Sequence, residues 1–594
     1  MKEREKGSVQ RTSGNVTRRE LMKGAGALVA GTAASALAPS ALVTTAEAQA
    51  PGAPYVARAV TVVASPSKNV VETDSGKVFG YSRDGVITFK GIPYGASTAG
   101  KNRFMPPEKP APWPGVRSAL YWGPVAPQPF CNTLDSPRSG WKHDDESFMF
   151  DWEDGHSSED CLRINVWTSS INDNAKRPVM MWIHGGGYVA GSDQELRMYP
   201  GENLVRRGDV VSVSVNHRLG VLGYANLMDY GEQYASSPNV GMLDLVAALE
   251  WVQTNISNFG GDPDRVLIFG QSGGGAKVSV LMGMPSAKGL FHRAVVESGT
   301  SLRQNTPESS ARVAAAVLAE LGLTKATIGK IHELPVDQII EAAVHAQRVA
   351  AAEGVGPGGI GGWGPVVDGK ILPRNAWDPT APSYSAHVPL VVGNVLNEFF
   401  NSVQMEDPSV DDWSMAEVRK RLSGSGRGFL RGGLGKGADH VIEVFQKAYP
   451  NATPFEIFSR VSAIRVMRLN ALTQAARKAE QGVAPAYNYW FQWRTPILDG
   501  RARVFHCSEL PFVFYNTERC ASMTGGGPDA LDLAGRISDA WTSFARTGNP
   551  NHPGLPEWPA YDPKIIPTMV FNNQCEVKND PDGEIRRAIE EALA

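Results

Sequence analysis

Residues 259–275 read Phe-Gly-Gly-Asp-Pro-Asp-Arg-Val-Leu-Ile-Phe-Gly-Gln-Ser-Gly-Gly-Gly, an apolar run that leads into a serine enclosed by glycines. The run at 266–269 is short and β-prone, which is typical of a strand buried on both faces of a parallel sheet. Glycines on both sides of Ser272 suit a sharp turn, because the neighbours of an exposed nucleophile are pressed close together. Residues 276–282 favour a helix whose first N–H groups face the hydroxyl. We therefore predict a strand, a turn that exposes Ser272, and a helix; the alternative is a glycine-rich surface loop.

Length and composition limit what the rest of the chain can be. The 594 residues are 42% hydrophobic and 20% charged, which is the composition of a globular protein rather than of a disordered one. Such a length requires either several domains or one large sheet with long excursions. A formal net charge of −3 gives no nucleic-acid footprint, and the interior has no apolar run typical of a membrane span.

The first fifty residues predict export. Residues 17–23 read Thr-Arg-Arg-Glu-Leu-Met-Lys and resemble a twin-arginine signal, and an uncharged run rich in Ala and Gly follows at 24–43. An Ala-Glu-Ala site predicts cleavage after Ala48, which leaves 49–594 as a single domain in the periplasm or outside the cell. Residues 1–50 hold seven Lys/Arg and four Asp/Glu, so their removal takes the formal charge from −3 to about −6. The alternative is an N-terminal helix anchored in the membrane.

The five cysteines are an odd number, so an exported chain would keep at least one thiol. Cys131 and Cys161 are the predicted disulfide pair, because they bracket a polar, charge-rich stretch at 132–160. Closing such a loop typically stabilises a protein by about 3 kcal/mol. The remaining three cysteines, Cys507, Cys520 and Cys575, are interpreted as thiols.

The order of apolar runs predicts an α/β fold. Residues 55–94 alternate short β-like runs with turn residues, as in an antiparallel edge. Strands are then predicted at 162–167, 179–183, 209–215, 266–269, 293–296, 389–392 and 487–491, with a clear amphipathic helix at 243–258. Strands that alternate with helices imply a parallel sheet covered on both faces. Residues 307–352 favour helix, and a glycine-rich loop at 356–364 follows; we interpret this insertion as a lid.

A serine hydroxyl becomes a good nucleophile only when a base removes its proton, and a carboxylate usually orients that base. His506 is the predicted base, because it lies in a loop that follows a predicted strand. For the carboxylate, residue chemistry alone leaves open Glu297, at the end of a strand, and Asp368. The Gly-Gly-Gly run at 185–187 directly follows a strand, so the N–H groups of Gly186 and Gly187, with that of Gly273, are the predicted oxyanion hole. The alternative is a plain glycine turn.

Across nearly the whole mature chain, short motifs resemble those of type-B carboxylesterases, the cholinesterase-like branch of the α/β-hydrolases. The matching runs are 91–94, 159–162, 216–220, 259–261, 270–274, 365–369 and 547–550. Residues 393–398, Gly-Asn-Val-Leu-Asn-Glu, match the family's G-x-x-x-[DN]-E motif, which makes Glu398 the acid. The order Ser272, Glu398, His506 agrees with that of the hydrolases. The resemblance implies an α/β-hydrolase fold, with a large, mostly parallel central sheet, helices on both faces and a lid of insertions.

The resemblance also implies two-step transfer of an acyl group to water, with a small-molecule ester as substrate and no metal or cofactor. An amidase or acyltransferase would use the same residues, and a non-catalytic adhesion module is a further alternative; neither nucleic acid nor, in the mature form, a membrane is an expected partner. Two departures from the family pattern stand out. Arg163 occupies an aromatic or Thr position, which we interpret as a harmless surface change, and Gln271 replaces the glutamate of cholinesterases. Gln271, Trp152 and Trp363 are the predicted pocket residues, with a loop tryptophan packed on the core as the alternative for Trp152, and the lost charge predicts neutral esters of short to medium acyl chains.

Overall fold

The structure is a computed structural model that describes residues 60–129, 144–153, 155–352, 362–405, 407–424 and 433–594. Within it, Val60–Ala594 clusters into one compact unit. The predicted signal peptide (1–48), Cys131 and most of the loop at 356–364 lie outside the described residues.

Within the described residues the chain forms fifteen strands, which build one large and one small sheet. In chain order they are β1 (Val62–Ala64), β2 (Val70–Thr73), β3 (Gly76–Phe79), β4 (Tyr81–Arg83), β5 (Val86–Pro93), β6 (Val116–Ser118), β7 (Arg163–Thr168), β8 (Arg177–Ile183), β9 (Val211–Val215), β10 (Gly261–Gln271), β11 (Arg293–Glu297), β12 (Leu390–Val395), β13 (Ala486–Phe491), β14 (Pro567–Phe571) and β15 (Glu576–Asn579). The large sheet has the spatial order β1-β4-β5-β7-β9-β8-β10-β11-β12-β13-β14-β15, and β2, β3 and β6 form the small one.

The centre of the large sheet, from β9 through β8 to β14, is parallel, as predicted. The edges are antiparallel: β1, β4 and β5 form the predicted N-terminal edge, and β15 closes the other side. The interpretation of 162–167 as part of the parallel alternation is wrong, because β7 pairs antiparallel with both β5 and β9. All six residues of β7 are buried, so its pattern is that of a central parallel strand and carries no information on direction. The interpretation of Arg163 as a surface change is also wrong, because this residue is 6% exposed and its Nε donates to the Asp160 carbonyl at 3.0 Å.

Helices cover both faces of the sheet. In chain order they are α1 (Asp144–Phe150), α2 (Glu202–Gly208), α3 (Gly220–Tyr224), α4 (Val240–Asn255), α5 (Gly273–Leu281), α6 (Pro307–Glu320), α7 (Val336–Ala352), α8 (Met415–Ser423), α9 (Ala438–Ala448), α10 (Pro454–Ala463), α11 (Leu469–Glu480), α12 (Leu510–Val513), α13 (Ala521–Thr524), α14 (Pro528–Thr547) and α15 (Gly583–Leu593). Along β8 the side chains alternate between two apolar cores: Met181 packs in one and Met180 and Trp182 in the other. The sheet therefore separates two cores, as expected for layers of helix, sheet and helix. None of the described helices is long and apolar enough to cross a membrane.

Cys161, just before β7, is a buried free thiol in the larger apolar core. Burial raises the pKa of this thiol far above its usual value. The predicted Cys131–Cys161 disulfide is not seen, and Cys131 lies outside the described residues.

Candidate active site

Ser272 lies at the turn between β10 and α5, at the carboxyl edge of the central strands. Its φ of 56° and ψ of −124° are a strained backbone conformation for a residue with a side chain. The turn is held because the Ser272 N–H donates to the Glu297 carbonyl at 2.8 Å and the Ser272 carbonyl accepts from the Ala276 N–H at 3.0 Å. A Cβ on Gly274 would lie 2.0 Å from the Ile183 carbonyl oxygen, so this close approach requires glycine. The partly exposed Ser272 is thus presented on a rigid turn that a substrate can reach.

Glu398 and His506 come together from the loops that follow β12 and β13. Glu398 Oε2 lies 2.5 Å from His506 Nδ1, and the His506 N–H donates to the Glu398 carbonyl at 3.1 Å. The second carboxylate oxygen, Oε1, accepts from the Val395 N–H at 3.1 Å. Glu398 is 0% and His506 3% exposed, so this charge-assisted contact is shielded from water. The adjacent parallel strands β12 and β13 therefore align an acid with an imidazole 108 residues further along the chain.

The two rival carboxylates are engaged elsewhere. Glu297 is fully buried at the end of β11, and its Oε1 accepts from Trp541 Nε1 at 2.7 Å. Burial raises the pKa of Glu297 to about 8. Asp368 binds its own loop through Oδ1, which accepts from the N–H groups of 370–372, while Oδ2 accepts from Asn239 Nδ2 at 3.0 Å. Of the three carboxylates considered, only Glu398 contacts His506.

The glycine loop after β8 lies against the turn that carries the serine. Gly186 and Gly187 have φ values of 77° and 64°, which suit glycine. A Cβ on Gly273 would lie 2.3 Å from the Gly187 nitrogen, so the two backbones touch. Among the described residues, no hydrogen bond is made by the N–H groups of Gly186, Gly187 or Gly273. Unengaged N–H groups beside a nucleophile are what an oxyanion hole requires.

Gln271 packs on the imidazole of His506 instead of facing an open pocket. It is 1% exposed, and its Nε2 lies 3.1 Å from His506 Nε2 and 3.3 Å from Nδ1. Its Oε1 accepts from the Cys507 thiol at 3.1 Å. The Phe399 ring lies on the imidazole as well, with centroids 3.8 Å apart. Among the described residues no hydrogen bond joins the Ser272 hydroxyl to His506, an arrangement common before substrate binds.

The sequence did not identify Phe399 and Cys507 as residues of the site, although Cys507 was interpreted as a thiol. The available signal was their position, since each directly follows a predicted site residue, Glu398 and His506.

Trp363 lines a small apolar cleft that includes Val189, and neither Ser272 nor His506 is among its lining residues. The other lining residues are Pro127, Gln128, Pro129, Val189, Leu219, Gly220, Val221, Ile340, Ala343 and Val344. None of them is charged, and Gln128 uses its side chain on the backbone of Ala126 and Gly191. The helical insertion contributes through α7, which bears Ile340. Trp152 is only partly buried and stacks on Phe150, whose edge meets Phe505 next to His506.

No group of His, Cys, Asp and Glu in the described part of the chain is arranged to hold a metal ion.

Comparison with known proteins agrees with this geometry. Residues 67–585 match the model of the carboxylesterase family. The chain is 33% identical over 526 residues to the para-nitrobenzyl esterase of Bacillus subtilis, covering 88% of this chain and 98% of that one. It is 30% identical to the phenmedipham hydrolase of Pseudarthrobacter oxydans, covering 86% and 97% of the two chains.

Among solved structures, an esterase from Clostridium hathewayi described as hydrolysing aliphatic aromatic polyesters superposes with a TM-score of 0.75 at 34% identity. The match covers 90% of this chain and all of that one. This chain therefore belongs to the carboxylesterase family: it has the α/β-hydrolase fold and hydrolyses carboxylic esters.

Proposed function

We propose that the protein hydrolyses neutral esters of short to medium acyl chains through an acyl-enzyme formed on Ser272. The observation that carries the proposal is the buried contact of 2.5 Å between His506 Nδ1 and Glu398 Oε2, at the sheet edge that presents Ser272. Because Glu398 Oε2 accepts a hydrogen bond from the Nδ1–H of His506, Nε2 carries no hydrogen and is left as the base that takes the proton of Ser272. His506 then returns this proton to the leaving alcohol.

The negative charge that develops on the ester carbonyl is stabilised by the backbone. The support is that the N–H groups of Gly186, Gly187 and Gly273 make no hydrogen bond among the described residues and that the Gly187 and Gly273 backbones touch next to Ser272; fixed donors of this kind need no rearrangement when the charge forms. A water molecule activated by His506 then attacks the acyl-enzyme and releases the acid. The Gln271 amide nitrogen lies 3.1 Å from His506 Nε2. The Ser272 hydroxyl therefore has to take the place of this amide beside Nε2 when the substrate binds.

The uncharged Gln271 side chain beside His506 supports a neutral substrate. A cationic substrate needs aromatic faces and nearby negative charge, and Gln271 supplies a dipole but no charge where cholinesterases carry a glutamate. One similar protein is named a para-nitrobenzyl esterase, and another is described as an esterase that hydrolyses aliphatic aromatic polyesters. For this chain we infer esters of aryl or alkyl alcohols.

We also propose that the protein is exported as a precursor and acts in the periplasm or outside the cell. The support is the Arg18-Arg19 pair, the uncharged run at 24–43 and the Ala-Glu-Ala cleavage site at 46–48.

The test of the proposed reaction is Ser272→Ala assayed on 4-nitrophenyl esters of graded acyl length. We expect kcat to fall by about 10⁴-fold or more, because the covalent nucleophile is lost. Ser279→Ala is the matched control: this serine is buried in α5, the helix that follows Ser272, and its Oγ donates to the Gly275 carbonyl at 3.0 Å. More than a few per cent of wild-type activity in Ser272→Ala would refute the assignment. A matched anilide and an added alcohol acceptor, assayed in parallel, distinguish an esterase from an amidase or acyltransferase.

A further inference from the structure

Lys277 is a fully buried lysine beneath the glycine loop. It lies in α5, one turn beyond Ser272, and is 0% exposed. Its Nζ donates to the His184 carbonyl at 3.0 Å and to the Gly185 carbonyl at 3.4 Å. Both carbonyls belong to the segment that carries the chain from β8 into the glycine loop. A buried amine with two backbone acceptors at this place needs a physical explanation, because burying a lysine is costly.

The geometry of the peptide bond connects this amine to the oxyanion hole. The Gly185 carbonyl and the Gly186 N–H belong to the same planar, trans peptide unit, so they point in opposite directions. When Lys277 holds the oxygen on the core side, the N–H of Gly186 must face away from the core. A Cβ on Gly185 would lie 3.6 Å from Ser272 Cβ, so this peptide unit begins at a residue that lies directly against the nucleophile.

Other groups around Lys277 set its charge and limit its movement. The titratable groups facing it are Glu195, His217, Tyr188 and His184. Glu195 favours the ammonium form, whereas burial dominates and lowers the pKa of Lys277 to about 7. Burial, and after it the nearby Lys277, lowers the pKa of His217, whose ring stacks on His184 with centroids 4.8 Å apart. The Tyr188 ring lies 5.8 Å from Nζ, and His184 Nδ1 shares the Gly185 carbonyl at 3.1 Å.

We propose that Lys277 is a positioning residue of the oxyanion hole: its Nζ holds the His184 and Gly185 carbonyls and thereby aims the Gly186 N–H at the ester oxygen. This inference rests on the proposed function. It assigns to Lys277 no contact with substrate, and it predicts that loss of the amine weakens binding of the transition state more than binding of the substrate.

The test compares Lys277→Met with Lys478→Met. Methionine keeps an unbranched apolar side chain, one atom shorter than that of lysine, and removes the donor. Lys478 is the matched control, because it is 1% exposed and its Nζ donates to the Ser385 and Ala386 carbonyls at 3.1 and 2.7 Å, away from the glycine loop. Each variant is assayed for kcat and KM on 4-nitrophenyl butyrate and for inhibition by an alkyl trifluoromethyl ketone, whose adduct with a serine carries a negative oxygen.

In Lys277→Met we expect kcat and the affinity for the trifluoromethyl ketone to fall together by about 10- to 100-fold, with KM changed less than about twofold. In Lys478→Met all three quantities should stay within about twofold of wild type. Should Lys277→Met not fold, Lys277→Gln is used with the same expectation, since its shorter side chain cannot reach both carbonyls.

A lower kcat with unchanged ketone affinity would show that Lys277 only supports the fold, and unchanged kcat would show that the loop needs no such support; either result overturns the inference. Full activity in Ser272→Ala would instead overturn the proposed function, and this inference with it.

Discussion

Replacing Glu398 by glutamine exchanges one carboxylate oxygen for an NH2 group, and this alters both hydrogen bonds that the carboxylate accepts. In the structure, both carboxylate oxygens accept hydrogen bonds: Oε2 from His506 Nδ1 at 2.5 Å and Oε1 from the Val395 N–H at 3.1 Å. A glutamine side chain offers one acceptor and one donor in those places. If its nitrogen faced Val395, two donors would meet in a buried site, at a cost of about 1 to 3 kcal/mol. The amide nitrogen therefore turns toward His506.

This orientation moves the proton of the imidazole. Because Nδ1 must then accept from the glutamine, Nε2 carries the hydrogen and can no longer take the proton of Ser272. Loss of the correct tautomer in a Ser-His-acid site lowers kcat by about 10⁴-fold, which corresponds to about 5 kcal/mol in activation free energy. We expect a decrease of this size for Glu398→Gln in initial rates on 4-nitrophenyl butyrate at pH 7.5.

Glu297→Gln is the matched control, because Glu297 is equally buried and ends the neighbouring strand. Its pKa of about 8 leaves most of the carboxyl protonated at pH 7.5, and glutamine has nearly the same shape as the neutral acid. We expect its kcat to stay within about threefold of wild type, and the unfolding temperatures of both variants show whether each is folded at the assay temperature. A larger loss in Glu297→Gln than in Glu398→Gln would refute the assignment of the acid.

Burial raises the pKa of Glu297 from 4.5 to about 8, so the native state keeps a proton that the unfolded chain releases, and the free energy of unfolding should fall as pH rises through this window. Chemical denaturation should show that the free energy of unfolding decreases less between pH 5 and pH 8 in Glu297→Gln than in the wild type. An equal decrease in both proteins would mean that other groups cause the pH dependence. Neutral esters should exceed the matching choline ester at least about tenfold in kcat/KM, or about 1.4 kcal/mol, and parity would contradict the role given to the uncharged Gln271. Replacing Arg18 and Arg19 by lysine should retain precursor in the cytoplasm on immunoblots, whereas unchanged export would exclude the twin-arginine route.

The strand and helix around the serine were predictable because local pattern decides both. The apolar run at 266–269 lies within β10, and the helix predicted at 276–282 is α5, which begins three residues earlier. The acid was not predictable from residue chemistry alone. Glu297 and Glu398 both follow buried strands, and only the pairing of β12 with β13 brings Glu398, rather than Glu297, to His506.

Side-chain direction was the other limit of the sequence. Gln271 was expected to line the pocket, yet tertiary packing turns it onto the His506 ring. The sequence does single out Lys277, because it is the one lysine in the short, largely apolar helix that follows the nucleophile. Its meaning depends on the carbonyls above it, and these belong to a segment 93 residues earlier in the chain. Such contacts between distant segments cannot be derived from spacing.

The site is assembled from parts that lie far apart along the chain, and this has a consequence for how the protein folds. Gln271 and His506 touch across 235 residues, and Glu398 and His506 across 108. Contacts of this kind form late, because the loop between them must close before they contribute any stability. During refolding, circular dichroism will therefore recover before ester hydrolysis does. A species in which β10, β12 and β13 have not yet joined the sheet hydrolyses no ester. The measured activity therefore reports only chains in which this part of the central sheet is complete.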